Sequence, residues 1–256
     1  SLHYYTIPHD WNHKGPALGF SRDDYVNTLQ NALNIDKVIA RHSAIMDQYD
    51  PERRVGLVVD EWGTWYDVEP GTNPGFLYQQ NTMRDAMVAG LTLNIFNKHC
   101  TRVHMANLAQ LVNVLQSLIL TEGPKTILTP TYYVFKLYMH HQENELLMSG
   151  LKAGPDRDGI PVVQASASIA PDGLIHVTLV NPCLDDAQEL NIDLSGHRAE
   201  SVSAEILTDA MDAHNTFETP ERVHDEPFNE YTLTDKGVAV TLPPVSVTHL
   251  AIRLHE

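Results

Sequence analysis

The run Gly56-Leu-Val-Val-Asp-Glu-Trp-Gly-Thr-Trp-Tyr66 constrains this chain more than any other stretch. Its apolar start reads as a short strand buried on both faces, the kind found in parallel sheets. Glu61 falls where that strand should end. In a (β/α) barrel the strand C-termini form the active-site face. A carboxylate beside Trp62 and Trp65 suits a sugar-cleaving site, with an acid for the chemistry and flat apolar faces for a ring. Asp60 and Glu61 are adjacent, so alternation sends them to opposite sides and only one can face a barrel mouth. A plainer reading stands beside this one: a strand-end acid capping a loop, with both tryptophans packed as core.

The pattern around this run alternates strand and helix. Residues 1–6 read as a strand and 21–49 as a helix. Ser21 is placed to N-cap that helix, with Asp23 and Asp24 in its first turn. Leu29, Leu33, Val38, Ile39 and Ile45 supply an apolar stripe at helical spacing. Pro51 stops it. Residues 55–59 form the next strand, 76–99 a mostly apolar helix, 102–106 a third strand and 108–120 another helix. Such alternation implies parallel βαβ units. Residues 130–142 read as one more helix, rich in tyrosine. Beyond residue 148 the chain becomes short β runs between turns, at 162–169, 174–180, 190–194, 203–207, 238–242 and 247–254. Pro171-Asp172-Gly173 is a hairpin turn by composition. This half reads as an antiparallel sandwich. The expected architecture is therefore α/β plus all-β: the last strands of a (β/α)8 barrel over 1–147, then a jelly-roll-like β-sandwich over 148–256. Three strands cannot close a barrel. The chain also opens directly in a strand, so it reads as the C-terminal part of something longer.

Charge and cysteine use narrow the partners. The 256 residues carry a formal net charge of -16 and no basic cluster. That argues against nucleic acid and against an anionic membrane surface. No apolar run is long enough to span a bilayer. Cys100 and Cys183 lie far apart and suggest neither a disulfide framework nor a metal motif. Fourteen histidines are present, but His42, His99, His104 and His140-His141 lack ligand spacing such as His-Glu-x-x-His. The expectation is no metal and no cofactor. Localisation stays open, with the cytoplasm favoured.

Three ordered motifs now carry a resemblance. They are Val59-Asp60-Glu61-Trp62-Gly63, then Ala106-Asn-Leu-Ala-Gln110-Leu-Val-Asn113, then Ile127-Leu-Thr-Pro-Thr-Tyr-Tyr-Val-Phe135. With these motifs the chain resembles the family 51 α-L-arabinofuranosidases of the glycoside hydrolases over essentially its whole length. The resemblance implies that Glu61 is the nucleophile of a retaining mechanism. It implies that the hydroxyl of Tyr5 contacts that nucleophile and that Gln110 hydrogen-bonds the arabinose. It sets His3 on the same strand end as Tyr5, and Trp65 near the site. The family's acid/base glutamate lies in an Asn-Glu pair on an earlier strand that this sequence lacks. The implied partners are an arabinose-containing oligosaccharide or polysaccharide, the N-terminal half of the barrel, and further copies in a homo-oligomer.

Each residue keeps a plainer alternative. Tyr5 could pack in the core, Gln110 could be a solvated helix-start residue, His3 a structural histidine and Trp65 a loop anchor. A retaining glycosidase needs two carboxyls about 5–5.5 Å apart; Asp67 and Glu69 sit in a loop, and Asp10 follows a strand end but lacks the family context for the second. The chain is thus expected to hold half a site, belonging to an exo-acting α-L-arabinofuranosidase. Two other functions compete. One is a non-catalytic carbohydrate-binding or assembly module; the other is a related retaining enzyme acting on xylosidic or glucosidic bonds. The sandwich half has only Phe217, Phe228 and Tyr231 as aromatics, too few for a sugar-binding row.

Overall fold

The computed structural model describes residues 1–255. The chain begins with β1 (Leu2–Thr6), α1 (Arg22–Tyr49), β2 (Leu57–Thr64), α2 (Met83–Lys98) and β3 (Val103–Leu108). These strands form a parallel sheet in the order β1-β2-β3. Both helices start on reciprocal side-chain caps. Ser21 Oγ accepts from Asp24 N and Asp24 Oδ2 accepts from Ser21 N; Thr82 and Asp85 repeat the arrangement. Each cap satisfies N–H groups that the first helical turn would otherwise leave orphaned.

The buried stripe of α1 is Tyr25, Leu29, Ala32, Ile35 and Ile39. It is rotated from the expected one, and Ile45 is exposed. Helix α2 is buried almost all round, which is what an apolar helix between two layers requires. On one side it meets α1 and β2. On the other it lies against the second half of the chain, where Gly90 faces Val180 and Val247.

The expected helix at 108–120 does not form. After β3 the chain turns back on itself, with Leu118 N and Ile119 N both donating to Leu111 O. Asn113 and Leu115 take positive φ, which a right-handed helix excludes. Leu111 and Val112, placed on the buried side by their spacing, are exposed. The segment runs into a hairpin of β4 (Ile119–Glu122) and β5 (Lys125–Leu128). Thr129 then caps α3 (Pro130–Tyr138), followed by a 3-10 turn at Met139–His141.

The antiparallel half begins at β6 (Glu145–Leu146). It continues with β7 (Gln164–Ile169), β8 (Ile175–Asn181), β9 (Gln188–Asp193), β10 (Ala199–Thr208), β11 (Glu226–Pro227), β12 (Tyr231–Thr234), β13 (Gly237–Leu242) and β14 (Ser246–Leu254). One sheet has six strands in the order β11-β10-β14-β8-β7-β6, and the other has three in the order β12-β13-β9. Strand alternation divides the six-stranded sheet by face. Val177, Leu179, Leu250 and Ile252 join Val238, Val240 and Leu242 in a core between the sheets. Val180 and Val247 point the other way and share a core with Met87, Leu91, Val134 and Leu137 of the helices. Tyr138 sits in that seam and donates to Gly90 O at 2.9 Å and Asn94 Oδ1 at 2.8 Å.

Two buried arginines fasten the first half. Arg102 donates to Asp50 Oδ2 at 2.9 Å and Val55 O at 2.8 Å, and pairs with Asp47. Arg84 lies between the rings of Phe20 and Tyr66, 3.6 and 3.8 Å from their centroids. Its Nη2 donates to the carbonyls of Pro16 and Ala17. The loops that follow β1 and β2 therefore converge on one side chain at the start of α2.

Candidate active site

Glu61 lies within β2, three residues before its end, and pairs with His3 on β1. The ladder is irregular here. Leu2 pairs with Val59 but His3 pairs with Glu61, so Asp60 has no opposite residue. A bulge of this kind re-aims side chains. Asp60, expected to point away from Glu61, instead reaches the same histidine. His3 Nε2 is 3.3 Å from Asp60 Oδ1, and His3 Nδ1 is 3.4 Å from Glu61 Oε2. Burial pushes the Asp60 carboxyl up, but its own backbone amide and His3 outweigh this and hold it below the usual range.

Tyr5 is two residues further along β1, on the same face as His3. Its hydroxyl donates to Glu61 Oε2 at 2.7 Å. Burial and the adjacent carboxylate both raise the phenol well above its ordinary pKa, so Tyr5 stays protonated as a donor. Its ring meets Trp65 edge-on, with centroids 4.9 Å apart.

Trp65 follows β2 directly, and its backbone N–H donates to Thr6 O at 3.0 Å. Trp11, from the loop after β1, meets Trp65 edge-on at 5.5 Å and is itself exposed. Lys14 Nζ stands 5.8 Å from both indole centroids. Trp11 carries no signal of this role in the sequence, since no spacing ties a loop residue to a strand end elsewhere. Trp62, by contrast, is core: it stacks on Phe135 at 6.0 Å and meets Phe96 edge-on at 5.3 Å.

Glycine is required at position 63, where φ is +136° and a Cβ would lie 3.2 Å from Gln116. Gln116, unmarked in the sequence, is buried. It accepts from Thr64 N and donates to Asp85 O, both at 2.9 Å, and so fixes the end of β2 behind Glu61.

Gln110 stands on the loop after β3, not at a helix start. The preceding residue is tied to β2 through Ala109 N to Trp62 O at 2.9 Å. Its side chain is exposed, and among the described residues no hydrogen bond joins it to Glu61, Tyr5, His3 or Trp65. Four of the five expected residues thus form one contact network, with the fifth on the adjoining strand end. The network offers one solvent-open carboxylate, a protonated donor on it and an aromatic wall beside it. That set can attack an electrophilic carbon and support a sugar ring.

Residues 60–246 match the family described as the α-L-arabinofuranosidase C-terminal domain. The chain belongs to the glycoside hydrolase family 51 α-L-arabinofuranosidases. It is 45% identical to an intracellular exo-α-L-arabinofuranosidase of Bacteroides ovatus, over 99% of this chain and 50% of that protein. Among solved structures it is similar to the family 51 arabinofuranosidase of Xanthomonas axonopodis pv. citri. That likeness has a TM-score of 0.92 and 42% identity, over 98% of this chain and 52% of the other. It is also similar to the Thermotoga maritima α-L-arabinofuranosidase, solved as an arabinose complex, with TM-score 0.81 and 25% identity over 99% and 52%. The chain spans about half the length of these family members. Among the described residues no helix is long and apolar enough to cross a membrane.

Proposed function

We propose that this chain is the C-terminal portion of a retaining, exo-acting α-L-arabinofuranosidase and supplies its nucleophile, Glu61. The observation that carries the reading is the 2.7 Å bond from the Tyr5 hydroxyl to Glu61 Oε2. A carboxylate held by one strong donor, with its other oxygen open, is oriented for attack. Glu61 attacks the anomeric carbon of a terminal arabinofuranosyl unit and forms a glycosyl-enzyme ester. A carboxylic acid on the N-terminal half protonates the leaving oxygen, then removes a proton from the water that cleaves the ester. Tyr5 orients Glu61 throughout, and His3 bridges it to Asp60. Trp65, with Trp11, walls the sugar, and Gln110 binds its hydroxyls from the loop after the third strand.

The substrates are arabinan, arabinoxylan or arabino-oligosaccharides. The partner is the N-terminal half of a (β/α)8 barrel, which would pair with the free edges of β1 and β3. Those edges expose unpaired N–H and C=O groups, and the interface would resemble a core cut in two. In this reading residues 1–147 complete the barrel and 148–256 form the sandwich, with β6 reaching into the latter. The test is Glu61→Ala in the enzyme joined to its N-terminal half. Turnover of an aryl arabinofuranoside should fall by about three orders of magnitude or more, and azide should rescue it as an inverted glycosyl azide. Activity within tenfold of the parent would overturn the assignment.

A further inference from the structure

The face of the six-stranded sheet that meets the helices changes character along β8 and β14. Val180 and Val247 are apolar and pack near Gly90. Two residues back along β8, Thr178 donates to Asn94 Oδ1 at 3.1 Å. Another two back stands His176, and His249 lies two beyond Val247 on β14. In the antiparallel register His249 pairs with Thr178 and Ala251 with His176, so the two histidines are diagonal neighbours on one face. Both are buried. The 3-10 turn after α3 lays His140 over them, with ring centroids 4.4 Å from His249 and 5.4 Å from His176.

No carboxylate belongs to this group. His176 Nδ1 faces His249 Nε2 at 3.0 Å, and one donor nitrogen from each of the three rings falls within 4.8 Å of the others. The neighbouring His141 is committed elsewhere, to Ser168 Oγ at 2.7 Å and Thr178 Oγ1 at 3.1 Å. We propose that His140, His176 and His249 form a binding site for a divalent first-row transition metal ion of the zinc class.

Three nitrogen donors without a carboxylate suit zinc, copper or nickel rather than calcium or magnesium. Zinc bound at 2.0–2.1 Å in a tetrahedron separates its ligand nitrogens by about 3.3 Å. The buried pair is already near that spacing. His140 is the least buried of the three and partly exposed, so its ring can leave the stack and turn a lone pair inward, and water can take the fourth position. Metal binding needs neutral imidazole. Burial, followed by the neighbouring histidines, holds His249 down to about 3 and lowers His176 as well. The ion would clasp the turn after α3 to β8 and β14. It would act structurally, on strands other than those that carry Glu61.

The test uses the tag-free enzyme joined to its N-terminal half, stripped with chelator and titrated with Co²⁺ and then Zn²⁺. One equivalent of Co²⁺ should give intense tetrahedral d–d absorption that Zn²⁺ displaces, and Zn²⁺ should raise the melting temperature. His140→Ala removes a partly exposed ring, so its metal-free melting temperature should stay close to the parent's. Loss of even an outer partner of a ligand costs about 10–100-fold in affinity, so His140→Ala should weaken zinc binding at least tenfold. His42→Ala, remote and exposed, should leave it unchanged. Absence of saturable one-to-one binding by the parent would overturn the proposal. So would zinc affinity in His140→Ala within threefold of the parent; the rings would then be a neutral stack and nothing more.

Discussion

Tyr5 and Glu61 occupy neighbouring parallel strands, and the tyrosine hydroxyl donates to the carboxylate at 2.7 Å. The bond depends on register. Tyr5 pairs with Gly63, and the unpaired Asp60 sets the offset that brings the phenol to the carboxylate two residues back. Because the phenol pKa is raised, Tyr5 remains a donor at acidic and neutral pH. A hydrogen bond to a charged group contributes about 1.5–3 kcal/mol. Tyr5→Phe in the complete enzyme should therefore lower kcat/KM about tenfold to hundredfold, mostly in kcat. Steady-state kinetics on an aryl arabinofuranoside measure it; an unchanged kcat would remove Tyr5 from the mechanism.

Gln110 should behave differently. It stands on the loop just after the third strand with an exposed amide and, among the described residues, no hydrogen bond to the carboxylate network. Gln110→Ala should raise KM for the arabinofuranoside more than it lowers kcat. A fall in kcat with KM unmoved would place it on the chemistry instead of on the sugar.

Gly90 tests the seam between the two halves. A Cβ there would come within 2.9 Å of a Val180 methyl and 3.3 Å of a Val247 methyl. Alanine favours a helix over glycine by about 1 kcal/mol, while overpacking costs about 1–3 kcal/mol. Gly90→Ala should lower the melting temperature despite its better helix propensity. Adding Val180→Ala should recover part of the loss, so the double variant should be more stable than the sum of the two singles. Strict additivity would mean that the contact carries no strain.

Acid should loosen the end of α1. Asp50 accepts from the backbone of Val55 and Arg54 and from buried Arg102. The Val55 amide, with help from Arg102 and Arg54, holds its carboxyl below the usual range. A depressed carboxyl contributes stability above its unfolded value, about 3.9, and loses it as pH falls through the folded value. Asp50→Asn should melt earlier than the parent at neutral pH. The gap should close as pH drops below about 4. A gap that stays constant with pH would exclude the charge as its origin.

Local signals are legible in the sequence. Ser21 with Asp24 marked the start of α1, and the turn at Pro171-Asp172-Gly173 marked the β7–β8 hairpin, where Gly173 N donates to Ala170 O. Each rests on residues within a few positions of one another. What the sequence hides is long-range. Leu111, Val112, Leu115, Leu118 and Ile119 have helical spacing, yet the backbone there is set by bonds to β2, to Leu77 O and to the β4–β5 hairpin. Asp60 obeyed alternation on paper, but a bulge is a property of two strands and not of one. The histidine cluster was illegible for the same reason: its members are 36 and 73 residues apart and meet only through β8–β14 pairing and the turn above it. His3 and Trp65 both touch the network around Glu61, a placement set by strand pairing that neither position shows in the sequence alone.

The guanidinium of Arg84 has a bearing on how such a site could be re-engineered. It is clamped between Phe20 and Tyr66 and holds the carbonyls of Pro16 and Ala17. One of these loops carries Trp11 and the other begins at Trp65. A graft that replaces only one of them would leave a buried cation with half its aromatic sandwich. Leaving such a group short of partners is costly, so the damage would show as misfolding before any change in substrate choice could be read. Swapping the rim of this site between relatives is therefore a two-loop operation, with position 84 carried across as part of the cassette.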